Sequence, residues 1–191
     1  MQGVPVAVET AQRMGLTDYA FVTRWRAPGT VAEVNAVLKD AASLPRWWPS
    51  VYLDVDVLVP GDALGVGKTV DLLTQGWLPY RLRWRFVTTE VRPDGFTLEA
   101  SGDFEGRGVW TFVQSGEDVD VVYDWRIRAR KPVLRWFSWL LKPVFSANHR
   151  WAMARGEESL LLELRRRRAG TGAERAAIPA PPGPMRWGRA R

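Results

Sequence analysis

Between Val51 and Ala129 apolar residues recur at every second position, and between Pro132 and Arg168 they recur at every third and fourth. A period of two belongs to strands with one buried face; a period of three to four belongs to a helix with one apolar stripe. The alternating stretch divides into runs at 51–59, 66–75, 80–86, 96–104, 106–114 and 119–129. Turn signals separate them, among them Pro60-Gly61-Asp62, Gly76, Pro93-Asp94-Gly95 and Ser115-Gly116-Glu117-Asp118. Connections this short make neighbouring strands antiparallel. A strand also opens the pattern, with Tyr19, Phe21 and Trp25 on one face and Arg24 and Arg26 on the other, until Pro28-Gly29 stops it. Thr30 with Glu33 has the spacing of a capping box, so a short helix runs to Lys39. Ser43-Leu44-Pro45 then caps a second helical turn that carries Trp47 and Trp48.

A seven-stranded antiparallel sheet with one apolar face needs a cover, and the long C-terminal helix is the only element large enough. The expected fold class is therefore α+β: a seven-stranded antiparallel sheet gripping a long C-terminal helix, with two short helices between strands 1 and 2. The 191 residues suit one domain. Its expected parts are a flexible leader at 1–17, the folded unit at 18–166, and a disordered Arg/Pro/Gly-rich tail at 167–191. This order resembles the helix-grip fold of the START-like SRPBCC superfamily, in its polyketide cyclase/dehydrase and lipid-transport branch. The resemblance rests on Trp47-Trp48-Pro49-Ser50-Val51, Gly65-Val66-Gly67, Gly76-Trp77-Leu78-Pro79-Tyr80 and Gly102-Asp103-Phe104-Glu105-Gly106. It continues in Asn148-His149-Arg150-Trp151 and Gly156-Glu157 of the last helix. It implies a cavity between sheet and helix that holds lipids, polyketides, sterols or phenolics.

Composition narrows the chemistry. The chain has no cysteine and one histidine, His149, which excludes disulfides, thiol catalysis, iron–sulfur sites and metal sites built on several imidazoles. No G-x-S-x-G turn presents a serine nucleophile. No metal and no cofactor is expected. The net charge of +6 sits at one end, since residues 165–191 hold eight arginines against Glu174 and the remainder is close to neutral. A phosphate-gripping protein wants that charge on a folded face, so nucleic acid is not an expected partner. The N-terminal sixteen residues have no apolar h-region, and the cytoplasm is the expected compartment. Gly61 to Thr69 imitates a phosphate-binding loop, but Asp62 stands where that motif needs glycine and a strand follows instead of a helix.

The eleven tryptophans exceed what a core of this size needs. Trp77, Trp84, Trp110 and Trp125, with Tyr80 and Tyr123, fall on one face of the sheet. Aromatic walls with a few polar tips suit a flat apolar ligand, although a filled core would use the same residues. The expected ligand-binding residues are Trp48, Trp77, Tyr80, Trp84, Trp110, Trp125, Phe145 and His149. His149 shares a helix face with Phe145, Ala152, Met153, Gly156 and Leu160, and Gly156 leaves room there for something to approach. Asp54 and Asp56 point away from the valines of their strand, and Asp103 and Glu105 flank a strand break, so neither pair marks a carboxylate site.

The expected function is binding of a small hydrophobic molecule, aromatic, polyketide-like or lipid, between sheet and C-terminal helix. One alternative is an enzyme of the polyketide cyclase/aromatase type, with His149 or Tyr80 moving the proton. The other is a peripheral lipid-transfer protein that touches membranes transiently through Trp136 and Trp139, since Trp beside Arg or Lys suits an interface.

Overall fold

The computed structural model describes residues 18–129 and 138–185. Its strands are β1 (Asp18–Pro28), β2 (Tyr52–Val59), β3 (Thr69–Gln75), β4 (Arg81–Arg92), β5 (Gly95–Gly102), β6 (Phe104–Ser115) and β7 (Asp118–Ala129). They form one sheet in the order β1-β7-β6-β5-β4-β3-β2, every pair antiparallel. From β2 to β7 each strand pairs with its neighbour in sequence. Only β1 makes a long-range pairing, matched to β7 from Asp18↔Arg128 to Pro28↔Asp118. Helix α1 (Val31–Leu38), a 3-10 turn (Ala41–Ser43) and α2 (Leu44–Trp47) join β1 to β2, and α3 (Ser138–Arg168) follows β7. This is the helix-grip architecture that the change of period implies.

Local chemistry accounts for most of the boundaries. Thr30 Oγ1 accepts from the Glu33 amide at 3.3 Å, and the Thr30 amide donates to Glu33 Oε2 at 2.8 Å, so the capping box opens α1 as read. Ser43 differs from its expected role. Its backbone is already helical, and its hydroxyl donates back to the Asp40 carbonyl at 2.9 Å, out of reach of the amides ahead. In the loop between β2 and β3, Asp62 Oδ1 accepts from the amides of Leu64, Gly65 and Val66, each at 2.9 Å. That is an aspartate-centred turn with no anion-binding helix behind it.

The inner face of the sheet is covered unevenly. At one end α1 packs on β6 and on α3, and Val34, Val37, Trp47, Phe112, Val119, Val121, Leu160 and Leu164 are all but sealed from solvent. A buried carboxylate fixes that end: Glu163, 1% exposed, accepts from Arg46 Nη1 and Nη2 at 2.8 Å each and from Arg167 Nε at 2.8 Å. Burial alone would raise its pKa, but the two guanidiniums outweigh that and hold it below the usual value. Arg167 reaches on to Asp40 at 3.3 Å, and Arg168 donates to Glu33 Oε1 at 2.7 Å and to the Pro28 carbonyl at 2.8 Å.

Arg167 and Arg168 therefore tie the end of α3 to α1 and to the turn after it, and the helix ends at Arg168, two residues past the expected end of the folded unit at 166. Residues 172–177, placed by composition in a disordered tail, form a further short helix, α4 (Gly172–Ala177). Thr171 and Glu174 make a second capping box that starts it. The leader at 1–17, Trp136 and residues 186–191 lie outside the described residues.

Candidate functional site

The other end of the sheet is where the helix stands off. Between β1, β3, β4 and β7 on one side and the Phe145–Met153 part of α3 on the other lies a cavity of about 170 Å³. Trp48 is the partition between packed core and open space. Its ring meets Trp25 at 5.6 Å, Trp47 at 5.4 Å and Tyr52 at 5.1 Å between centroids. Behind it, a Cβ at Gly156 would stand 2.2 Å from Trp48 Cζ2, so only glycine lets the indole rest against the helix. The room that Gly156 leaves is taken by this tryptophan.

The floor is aromatic. Trp84 and Trp125 lie 5.8 Å apart, Phe104 sits edge-on to Trp125 at 5.7 Å, and Tyr123 stacks on Trp125 at 5.6 Å. The Trp84 indole N–H donates to Thr74 Oγ1 at 3.1 Å, which fixes one ring in place. At the outer end Phe145 of α3 meets Tyr19 at 6.1 Å and Tyr80 at 6.3 Å, edge-on to both. Asn148, one helical turn along, holds the loop that carries Tyr80: its Oδ1 accepts from the Trp77 and Leu78 amides at 2.9 and 3.3 Å.

His149 stacks on Phe21 at 4.1 Å, and its Nε2 lies 3.5 Å from the Thr23 hydroxyl, the long limit of a hydrogen bond. Burial, with a smaller contribution from Arg150, pushes its pKa down to about 4, so the ring is neutral at pH 7. Burial pushes the Tyr80 phenol up to about 12, with Tyr19 adding a little, and raises Tyr52 and Tyr123 as well. Among the described residues no three His, Cys, Asp or Glu side chains group as a metal site.

Of the residues read from the sequence as ligand contacts, Trp48, Tyr80, Trp84, Trp125, Phe145 and His149 stand around this cavity. Trp77 and Trp110 do not. Trp110 has the right face but the wrong end of the sheet: it lies in the packed core, stacked on Tyr123 at 4.0 Å and tilted against Trp25 at 5.4 Å. Trp77 is in the loop before β4, where its backbone amide donates to Asn148 of α3. Tyr19, Phe21 and Tyr52 are wall residues that the sequence reading does not name as ligand contacts, although the alternation of β1 puts Tyr19 and Phe21 on the inner face. The side chain of Trp139 lies outside the described residues, as Trp136 does. Among the described residues no helix is long and apolar enough to cross a membrane.

The structure is similar to several solved ones. An aromatase/cyclase, Zhui, from Streptomyces sp. R1128 matches with TM-score 0.63 and 15% identity, over 81% of this chain and 98% of that one. A protein of Thermus thermophilus matches with TM-score 0.58 and 21% identity, over 76% and 94%. Norcoclaurine synthase from Thalictrum flavum, in complex with dopamine and hydroxybenzaldehyde, matches with TM-score 0.54 and 13% identity, over 85% and 98%. At such identities the likeness shows the fold alone. No curated protein matches the chain in sequence. The model of one family, polyketide cyclase/dehydrase and lipid transport, matches residues 28–154. That span runs from the end of β1 through Phe145, Asn148 and His149, and by it the chain belongs to the polyketide cyclase/dehydrase and lipid transport family.

Proposed function

We propose that this protein binds a small hydrophobic molecule in the cavity between its sheet and α3. The observation that carries this reading is the space itself: about 170 Å³ walled by aromatic rings, next to a core end that is closely packed. Protein interiors keep few voids larger than a water molecule, and an apolar cavity of this order takes up a small aromatic ring. Trp48, Tyr80, Trp84, Trp125 and Phe145 supply the apolar contact, and His149 supplies a hydrogen bond as a neutral imidazole.

The alternative is catalysis of the aromatase/cyclase type through His149 or Tyr80, and both do stand in the wall. An imidazole of pKa about 4 is a weak base at pH 7, and a phenol of about 12 gives up its proton reluctantly. Both groups are better suited to hold a hydrogen bond than to move a proton, which supports binding over turnover.

The test is native mass spectrometry of the full chain purified without detergent, against the same sample denatured. A hydrophobic molecule released on denaturation supports the reading. An unloaded chain whose tryptophan fluorescence also ignores a panel of lipids and phenols overturns it.

A further inference from the structure

A sheet that does not close on itself has two edges, and in this one they are β1 and β2. An edge strand presents a row of unpaired amides and carbonyls, and folded proteins blunt it with bulges, charges and proline. Strand β2 is blunted in all three ways. Its register against β3 shifts twice, Asp54 and Asp56 are exposed, and Pro60 follows its last residue. Asp54 Oδ1 even accepts from the Val55 amide of the same strand, at 3.1 Å.

Strand β1 has none of this. It pairs with β7 from Asp18 to Pro28 without a register shift. Alternate residues of an antiparallel strand turn their amides and carbonyls to opposite sides, and two hydrogen bonds fix which do so here. The Gly29 amide, directly after the strand, extends the ladder toward β7 by donating to the Glu117 carbonyl at 2.8 Å, so the odd-numbered residues face β7. The Arg26 amide turns the other way and donates to Glu157 Oε1 of α3 at 3.1 Å. Asp18, Ala20, Val22 and Arg24 alternate in step with Arg26, so their amides and carbonyls point out of the sheet. No strand among the described residues receives them. Glu157 closes the edge at Arg26 and leaves 18–24 open. On this stretch Ala20 is exposed, Val22 is 59% exposed, and the exposed Arg24 has no ion-pair partner among the described residues.

The open stretch is also complementary to itself. When it is set antiparallel against a second copy with the two-fold axis at Phe21, Asp18 stands opposite Arg24 of that copy and Ala20 opposite Val22, on both sides of the axis. All of these residues turn their backbone groups outward, so each pair can exchange two hydrogen bonds. Opposite charges at the ends and small apolar residues near the centre are combinations that favour cross-strand pairing. An axis at Val22 would instead oppose Arg24 to Ala20 and would need the Arg26 amide that Glu157 holds.

We propose that β1 is a docking edge for a second copy of this chain, the two strands pairing antiparallel over residues 18–24 about Phe21 into one continuous sheet. So short a pairing buries less than the about 1,200 Å² of a standard interface, and the dimer is therefore reversible.

Sedimentation velocity of the full chain at pH 7, from about 1 μM to about 500 μM, tests this. The average mass should rise with concentration toward that of two chains. Val22→Lys sets a cation where natural edges carry one, at an exposed position, and should weaken the dimer about tenfold while the Tm of the dilute chain stays unchanged. Asp18→Lys and Arg24→Glu each oppose like charges twice in the symmetric dimer, and each should weaken it about tenfold. Mixed in equal amounts, these two variant chains again oppose unlike charges in both pairs, and the mixed dimer should regain the wild-type strength. A wild-type chain that stays monomeric throughout overturns the pairing and leaves the edge to residues 1–17 or to another protein. A dimer unaffected by Val22→Lys uses another surface and overturns it as well. A mixture that dimerises no better than its two components overturns the register about Phe21.

Discussion

Replacing Gly156 with alanine sets two effects of known size against each other. In the interior of a 31-residue helix, glycine to alanine is worth about 1 kcal/mol of added stability from helix propensity alone. Here the new methyl would stand 2.2 Å from Trp48 Cζ2 and 2.6 Å from Cε2 and Cη2, well inside contact distance. Trp48 is 3% exposed and wedged among Trp25, Trp47 and Tyr52, so it cannot swing outward. Overpacking of this kind costs about 1–3 kcal/mol, and so close an approach belongs at the upper end. The net is a loss of about 1–2 kcal/mol, which for a chain of this size lowers Tm by about 3–6 °C. The only direction open to the indole is the cavity, so ligand affinity falls along with stability. Thermal unfolding followed by circular dichroism measures the first effect. The cycle with Trp48→Phe measures the coupling, and the smaller ring should make Gly156→Ala nearly neutral. A Tm raised by a few degrees in Gly156→Ala, as propensity alone gives, would show that Trp48 does not rest on the helix at this point.

Three further outcomes follow from named groups. Arg46→Met, which leaves Glu163 buried with only Arg167, should cost about 2–3 kcal/mol in denaturant unfolding. Glu163→Gln should cost less, because the Arg46 side chain it strands is 57% exposed and can hydrate; equal losses would contradict the burial of Glu163. His149 is the single histidine of the chain, so its ring-proton NMR signal is unambiguous, and its titration midpoint should lie near 4 rather than 6.5. Because the folded value is the lower one, the unfolded chain takes the proton first. The His149 contribution is therefore whole above pH 6.5 and lost as pH falls toward 4. Glu33, held at about 2 first by Arg168 and then by the Thr30 amide, adds a second loss as pH falls from 4.5 toward 2. A stability curve flat from pH 7 to 3 would refute both. Ala152→Trp should fill the cavity and abolish binding of small aromatics with little loss of Tm; binding that survives would place the ligand elsewhere.

The strands and the long helix were legible because a period of two or of 3.6 residues is a property of every residue in a run, and the turn residues between runs reinforce it. Depth along the sheet was not. Alternation assigns Trp110 and Trp125 to the same inner face, yet Trp110 lies in the closely packed core and Trp125 under the open end. That difference is set by where α1 crosses β6, which no local pattern encodes. Tyr52 was missed because it begins β2 next to Trp48, and its register depends on pairing with Thr74. The arginine run at the end of α3 read only as part of the basic end of the chain, and composition could not reveal that Glu163 one turn back, Glu33 in α1 and Asp40 just after α1 accept from Arg167 and Arg168. In contrast, the meaning of Gly156 as a place of close approach was readable, and only the identity of the approaching ring needed the fold.

Ligand binding at this site requires that the space between Trp48, Trp125, Phe145 and Met153 be open. Xenon is apolar, needs no hydrogen bond and enters dry cavities of this size. Diffraction from crystals of the full chain pressurised with xenon should show a bound atom among those four side chains, with their positions unchanged. An empty difference map there, with the aromatic rings drawn together across the gap, would contradict an open cavity and make this end of the sheet a second closed core.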